Sequence, residues 1–181
     1  VERVNKADGG AQASGKITKL DVKLGQEIKK GEMIADIDST TQINTLNTKK
    51  AALVSYQAQL KAKKTAYDVA LSSYNRLSKL YTQKATSLDS VNTAKSTLDN
   101  AKAEMEAIEA NIKQAEIEVN TAETNVGYTK ITAPMDGTVI SVPVSEGQTV
   151  NANQTTPTIV TIADLSKMKI KPEISEGDII K

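Results

Sequence analysis

The chain has no cysteine, no histidine, no phenylalanine and no tryptophan, and its only aromatics are five tyrosines. Without Cys and His it lacks a thiol nucleophile, the commonest general base and the usual ligands of zinc and iron. The lack of Cys is compatible with an oxidising compartment but does not point to one. With so few aromatics the core must be aliphatic and thin, which suits an elongated molecule better than a globule. A formal net charge of +1 supplies no general attraction to nucleic acid or to an anionic membrane. No apolar run approaches the ~18–20 residues of a spanning helix, and no signal-peptide pattern is present. The 181 residues suffice for one or two ordinary domains. The first residue is Val1 rather than Met. A processed product or a cut segment is therefore expected, with any membrane anchor outside it.

Glycine and proline are absent from residues 32–126, and that gap separates two copies of one pattern. The first copy runs from Gly15 to Gly25 and reaches an apolar Ile28; the second runs from Gly137 to Gly147 and reaches Val150. Residues 13–38 and 128–165 alternate apolar and polar at strand period, with turns at the glycines. Ile17, Val22, Ile28, Met33, Ile34 and Ile37 would line one half of a small sandwich. Val139, Val142, Val150, Ile159, Val160 and Ile162 would line the other. Neither half covers its own apolar face, so the two must close on each other.

The segment between them is helical by its heptads. Leu46, Leu53, Leu60, Tyr67, Tyr74 and Tyr81 recur every seven residues, as do Val91, Leu98, Met105, Ile112, Val119 and Val126. Ala94, Ala101, Ile108, Ala115 and Ala122 form a companion series. This a/d spacing predicts a coiled coil, with helices over about 40–81 and 88–126. Each would be on the order of 60 Å long. The short link 82–87 forces an antiparallel hairpin. Pairing positions whose numbers sum to 168 sets Leu46 on Ala122, Leu53 on Ala115, Leu60 on Ile108, Tyr67 on Ala101 and Tyr74 on Ala94. Large side chains then face small ones almost throughout.

Charge agrees with this register. Residues 39–81 carry seven Lys/Arg against one Asp, and 88–126 carry eight Asp/Glu against three Lys. Lys61, Lys63 and Lys64 come near Glu104, Glu106 and Glu109, and Lys49 and Lys50 near Glu116 and Glu118. Each exposed pair contributes only ~0–1 kcal/mol, so charge selects the pairing more than it stabilises it. The second seam is less regular, because Met105 would face Lys63 and Val119 would face Lys49. Snorkelling lysine stems, an edge that meets a neighbouring subunit, and a plain imperfect coiled coil all fit this pattern.

Two such β halves resemble the fold of biotinyl and lipoyl carrier domains. In a carrier, a modified lysine sits on the hairpin between the halves; here about ninety residues of helix stand in its place. A lipoyl-like module split by a helical hairpin resembles the periplasmic adaptors, or membrane fusion proteins, of tripartite efflux and type I secretion systems. Ile131-Thr-Ala-Pro134-Met-Asp-Gly137-Thr-Val139 is similar to that family's signature at the second half. Gly10-Ala-Gln-Ala-Ser-Gly15, Ala133-Pro-Met135, Gly147-Gln-Thr-Val150 and Ala163-Asp-Leu-Ser166 resemble its macrolide-efflux members in order and spacing.

Family members that meet TolC-type outer-membrane channels carry Arg-Leu, a second Leu and a Ser around the hairpin tip. Arg76, Leu77, Leu80 and Ser87 match that spacing. The guanidinium fork of Arg76 suits carbonyls or carboxylates at a partner's helix ends, with Leu77 and Leu80 as an apolar contact beside it. Simpler roles remain open for the same residues. Ser87 is placed to N-cap the second helix, with Asp89 in its first turn. Leu77 falls on the second seam opposite Val91. Arg76 alone would be an ordinary solvated charge.

Other candidates for chemistry are weaker. Asp36 and Asp38 flank Ile37 at strand spacing, which fits the polar side of a strand better than a carboxylate pair. The glutamates of the second helix read as solvated flanks rather than a cation site. The glycines form no phosphate-binding loop, and the basic residues lack interleaved stacking aromatics, so nucleic acid is not expected as a partner.

The sequence thus predicts an α+β chain. The lipoyl-like halves occupy 13–38 and 128–166, and the resemblance implies a remnant of a β-barrel or membrane-proximal region over 1–12. An α-helical hairpin spans 39–127, and the resemblance implies that 167–181 is the start of a truncated β-barrel domain. The resemblance implies a non-enzymatic periplasmic adaptor without cofactor or metal. It would link an inner-membrane ABC transporter (MacB-like) to a TolC-like outer-membrane channel, and it would self-associate as a hexamer. Adaptors of type I secretion or of RND-type pumps, a biotinyl/lipoyl carrier and a purely structural spacer are the alternatives.

Overall fold

The computed structural model describes residues 5–153 and 155–165. The chain divides into two compact units, one drawn from its two ends and one comprising Thr40–Val126.

The first unit holds eight strands: β1 (Lys6–Gly10), β2 (Gly15–Leu20), β3 (Glu27–Ile28), β4 (Met33–Ile37), β5 (Lys130–Thr132), β6 (Gly137–Ser141), β7 (Thr149–Val150) and β8 (Thr158–Ala163). They form two four-stranded sheets, ordered β1-β8-β6-β3 and β5-β4-β2-β7. The repeat seen in the sequence organises both. Replacing each strand of the first four by its counterpart in the second four turns one sheet order into the other. The match extends to single hydrogen bonds. Gly15 pairs with Val150 as Gly137 pairs with Ile28. The Gly25 amide donates to the Val139 carbonyl as the Gly147 amide donates to that of Ile17. Each half therefore gives its short strand to the other half's sheet, which is how two insufficient apolar faces become one covered core.

That core contains the expected Ile17, Val22, Ile28, Ile34, Ile37, Val139, Val150, Ile159, Val160 and Ile162, all buried. Ala11, Ala35, Ile131 and Ala133 complete it, while Met33 and Val142 are only half-buried. The structure departs from expectation at the N-terminal side. Residues 6–10, assigned in sequence to a separate remnant, form β1 and pair antiparallel with β8. The reason is a close approach: a Cβ at Gly9 would lie 2.9 Å from Val160 Cγ1. The expected barrel segment 167–181 lies outside the described residues.

The second unit is a helical hairpin, α1 (Thr40–Thr82) and α2 (Leu88–Gly127). Its helix boundaries lie within one residue of those expected. No helix among the described residues is long and apolar enough to cross a membrane. Leu46, Leu53, Leu60, Tyr67 and Tyr74 are half-buried along α1, opposite buried Ala94, Ala115 and Ala122 of α2. The second seam runs through Gln42, Lys49, Tyr56, Lys63, Ala70 and Leu77, each at least half-buried. Lys49 Nζ lies 2.7 Å from Glu118 Oε2, and Lys63 Nζ lies 2.6 Å from Glu104 Oε2. Both lysines lay their stems in the seam and turn their heads to an adjacent carboxylate.

Two expectations need correcting here. Lys50 pairs with Glu123 at 3.4 Å rather than with Glu116 or Glu118, because heptad position sets Lys50 and Glu118 on opposite flanks of the hairpin. Tyr81, on the heptad series, is 44% exposed. The helix ends one residue later, at Thr82, and the register leaves Tyr81 opposite the cap rather than a seam residue.

Candidate functional site

The end of the hairpin brings together all four residues of the tip motif, and the local fold follows from how each helix ends there. At the end of α1 the Lys84 amide donates to the Tyr81 carbonyl (2.9 Å), and the Ala85 amide donates back to the Leu80 carbonyl (2.8 Å). These two bonds make a Schellman motif, which satisfies carbonyls that a helix end otherwise leaves open. Its αL position usually holds glycine. Here it holds Lys84, with φ of 58°, the one non-glycine residue at positive φ among those described. An L-residue in this region costs about 1–2 kcal/mol through its Cβ.

At the start of α2, Ser87 Oγ accepts the Ser90 amide at 3.2 Å and lies 3.0 Å from Ser90 Oγ. This is the N-cap expected of Ser87, and Asp89 follows in the first turn, where a carboxylate favours the helix dipole.

The motif side chains divide by environment. Arg76 is exposed, Leu77 and Leu80 are half-buried, and Ser87 is exposed with its hydroxyl engaged in the cap. Leu77 also lines a groove of about 480 Å³ on one flank of the tip, with Ala70 and Ser73 of α1 and Ser90, Thr93 and Ala94 of α2. The groove exists because small side chains face each other across the pair. Asp89 is its one titratable lining residue.

Lys84 and Tyr81 were not singled out in the sequence as surface groups of the tip. The signal that could have found Lys84 is negative: helices commonly end on a residue at positive φ, and with no glycine between 32 and 126 such an ending has to use another residue. The carboxylate candidates do not converge on a site. Asp36 pairs with Lys130 in the β4–β5 ladder, and the Asp38 amide, past the strand end, donates to the Lys16 carbonyl.

Elsewhere charge is used locally. The Lys19 ammonium is raised above 10.5 by its hydrogen bond and attraction to Asp21, 2.6 Å away. Glu118 is held below 4.5, first by its hydrogen bond from Lys49 and then by one from Gln114.

The same architecture occurs in known proteins. Residues 5–162 match the family model of the RND membrane fusion protein barrel-sandwich hybrid domain. The chain is 45% identical over 172 residues to the pyoverdine export membrane fusion protein PvdR of Pseudomonas aeruginosa, spanning 95% of this chain and 44% of that protein. It is 35% identical over 180 residues to the macrolide export protein MacA of Escherichia coli O157:H7, spanning 99% of this chain and 48% of that protein. It is also similar to the crystal structure of MacA from Actinobacillus actinomycetemcomitans, with 78% identity and a TM-score of 0.86 over 99% of this chain and 54% of that one. The chain thus spans about half the length of the curated relatives it matches. A paired-half sandwich, a long heptad hairpin inserted between its halves and a family match over 5–162 lead to one assignment: the chain belongs to the RND membrane fusion protein family.

Proposed function

We propose that this chain is the sandwich-and-hairpin portion of a periplasmic adaptor. It joins an inner-membrane ABC transporter of the MacB type to a TolC-like outer-membrane channel, and it serves export of macrolides or similar compounds. The observation that carries the reading is the 78% identity to MacA together with a hairpin that ends in Arg76, Leu77, Leu80 and Ser87. The role is mechanical: the hairpin spans distance and its tip recognises the channel. The whole protein works as a hexamer in the periplasm, held to the inner membrane by parts beyond this chain. The 45% identity to a pyoverdine export protein favours a second cargo class, pyoverdine or similar compounds, on the same adaptor.

The test is binding of the chain to a purified TolC-type channel. Arg76→Asp weakens binding at least about tenfold, the scale of losing a charged contact at an interface, while helicity is unchanged. Unaltered binding by Arg76→Asp overturns the tip assignment. Export assays with a macrolide and with pyoverdine, in cells carrying the full-length protein, separate the two cargoes.

A further inference from the structure

We infer that the link between the helices is a hinge for exchange with a second copy of this chain, and that Lys84 keeps the hairpin closed on itself. The contacts that close the fold join residues before the link to residues after it. β1, β2, β3 and β4 pair with β8, β7, β6 and β5 respectively. Lys49, Lys50 and Lys63 of α1 pair with Glu118, Glu123 and Glu104 of α2. A second copy can supply each of these partners. An exchanged dimer therefore keeps them all and differs only around residues 83–87.

Two observations make the link a hinge. Its closed form is strained, because Lys84 holds a φ of 58° in the Schellman turn, and short strained links favour exchange. Its sequence also permits a helix: Thr-Gln-Lys-Ala-Thr-Ser over 82–87 contains no glycine and no proline. The heptads run straight through it. The second seam reaches Leu77 on α1 and resumes at Val91 on α2, and Lys84 lies seven residues from each. With the link helical, residues 40–127 make one helix on the order of 130 Å long. Two such helices pair antiparallel in the register that the hairpin already uses, with positions summing to 168 and the midpoint at 84.

That midpoint is where the sequence resists exchange. Lys84 enters the seam there, facing Lys84 of the other copy. The seam lysines of the shaft each have a carboxylate to turn to. Lys49 meets Glu118 and Lys63 meets Glu104, both pairs summing to 167. The same offset takes Lys84 to the uncharged Gln83 of the other copy. Asp89 is the single carboxylate between positions 76 and 98, and the register sets it against position 79. Two ammonium groups thus meet at the centre of the exchanged pair with no carboxylate in register, which disfavours that pairing against the closed hairpin.

The experiment unfolds the 181-residue chain in urea, refolds it at high concentration and weighs monomer and dimer by light scattering. Lys84→Leu removes the charge and fills the seam, and raises the dimer-to-monomer ratio at least about tenfold over the parent. Lys84→Gln removes the charge alone and raises it at least about threefold; this variant carries the test if the leucine variant aggregates. Lys84→Gly lowers the ratio, since glycine relieves the turn and weakens the continuous helix. Added salt raises the dimer in the parent and not in Lys84→Gln. Exchange itself is read by refolding equal parts of isotope-labelled and unlabelled chains, then joining Lys63 to Glu104 with a carbodiimide in the isolated dimer. About half of the joined peptides then carry one label only, the share that random pairing of exchanged chains gives. A side-by-side dimer keeps each joined pair within one chain and overturns the inference. Lys84→Leu and Lys84→Gln chains that stay as monomeric as the parent also overturn it, as does a Lys84→Gly chain that dimerises more.

Discussion

Lys63 Nζ sits 2.6 Å from Glu104 Oε2, across the hairpin and beside the seam position of Met105. Lys63 itself occupies a seam position, so its stem is half-buried where a leucine would pack. A polar residue at such a position fixes register at a cost in stability. Lys63→Leu is therefore expected to raise stability by about 0.5–1.5 kcal/mol, since the exposed pair it removes contributes at most about 1 kcal/mol. Urea unfolding measures the gain. The same variant should lose orientation specificity, visible as a larger fraction of associated chains in light scattering. A stability loss above about 1 kcal/mol would show that the ion pair, not the stem, dominates.

Ser87→Ala removes the acceptor of the Ser90 amide and should cost about 1 kcal/mol. Ser87→Asp restores the cap and should restore the melting temperature. The pair of variants separates two roles at one residue. A partner that reads the hydroxyl itself will bind Ser87→Asp as poorly as Ser87→Ala, and calorimetric titration with the channel distinguishes the cases.

Gly137 is required by space rather than by backbone freedom. A Cβ there would meet the Ala163 carbonyl oxygen at 2.6 Å and Ile162 Cγ2 at 2.8 Å. Gly137→Ala should destabilise the sandwich by about 1–3 kcal/mol through overpacking. Gly127, in the last turn of α2, has nothing within 4 Å of the equivalent point. Gly127→Ala should be neutral or stabilising by about 0.5–1 kcal/mol. Equal effects of the two in thermal unfolding would contradict this account.

The carboxyl of Glu118 is held below its ordinary 4.5, first by the hydrogen bond from Lys49. A lowered folded-state pKa means that the contribution is fully present above the unfolded value and is lost as pH falls through the folded one. Glu118→Gln should therefore melt below the parent at neutral pH, with the gap closing as pH drops under about 4.5. A gap that persists at pH 3 would assign the effect to shape rather than charge.

The hairpin was legible because a seven-residue repeat states both its period and its partner face. Leu46 and Ala122, or Tyr74 and Ala94, need no distant information to be matched. The doubling of the sandwich was legible in Gly15 to Gly25 and Gly137 to Gly147. What was hidden lies where one segment depends on another remote in sequence. β1 reads Lys-Ala-Asp-Gly-Gly and has poor strand propensity; it is a strand because Gly9 lets it approach Val160. Tyr81 obeys the heptads but sits where the helix stops. The tip motif was visible as spacing, and the cap at Ser87 and the seam position of Leu77 were visible with it; the half-burial of Leu80, which the heptads do not fix, came only from the turn.

The exchange of β3 and β7 between the halves has a consequence for how the chain comes into being. The sheet that holds β2 and β4 needs β5 and β7, and β7 emerges from the ribosome more than a hundred residues after β2. At ordinary translation rates that is a wait on the order of ten seconds. For that interval the nascent first half has an uncovered aliphatic face and open strand edges. Helix pairing needs microseconds to milliseconds, so the hairpin zips as soon as its second arm appears and draws residues near 39 and 127 together. Closing a loop that long is otherwise an entropic burden. The rod thus doubles as an internal folding guide: shortening it in register should leave the sandwich intact, and unpairing its base should leave the two halves to aggregate during synthesis.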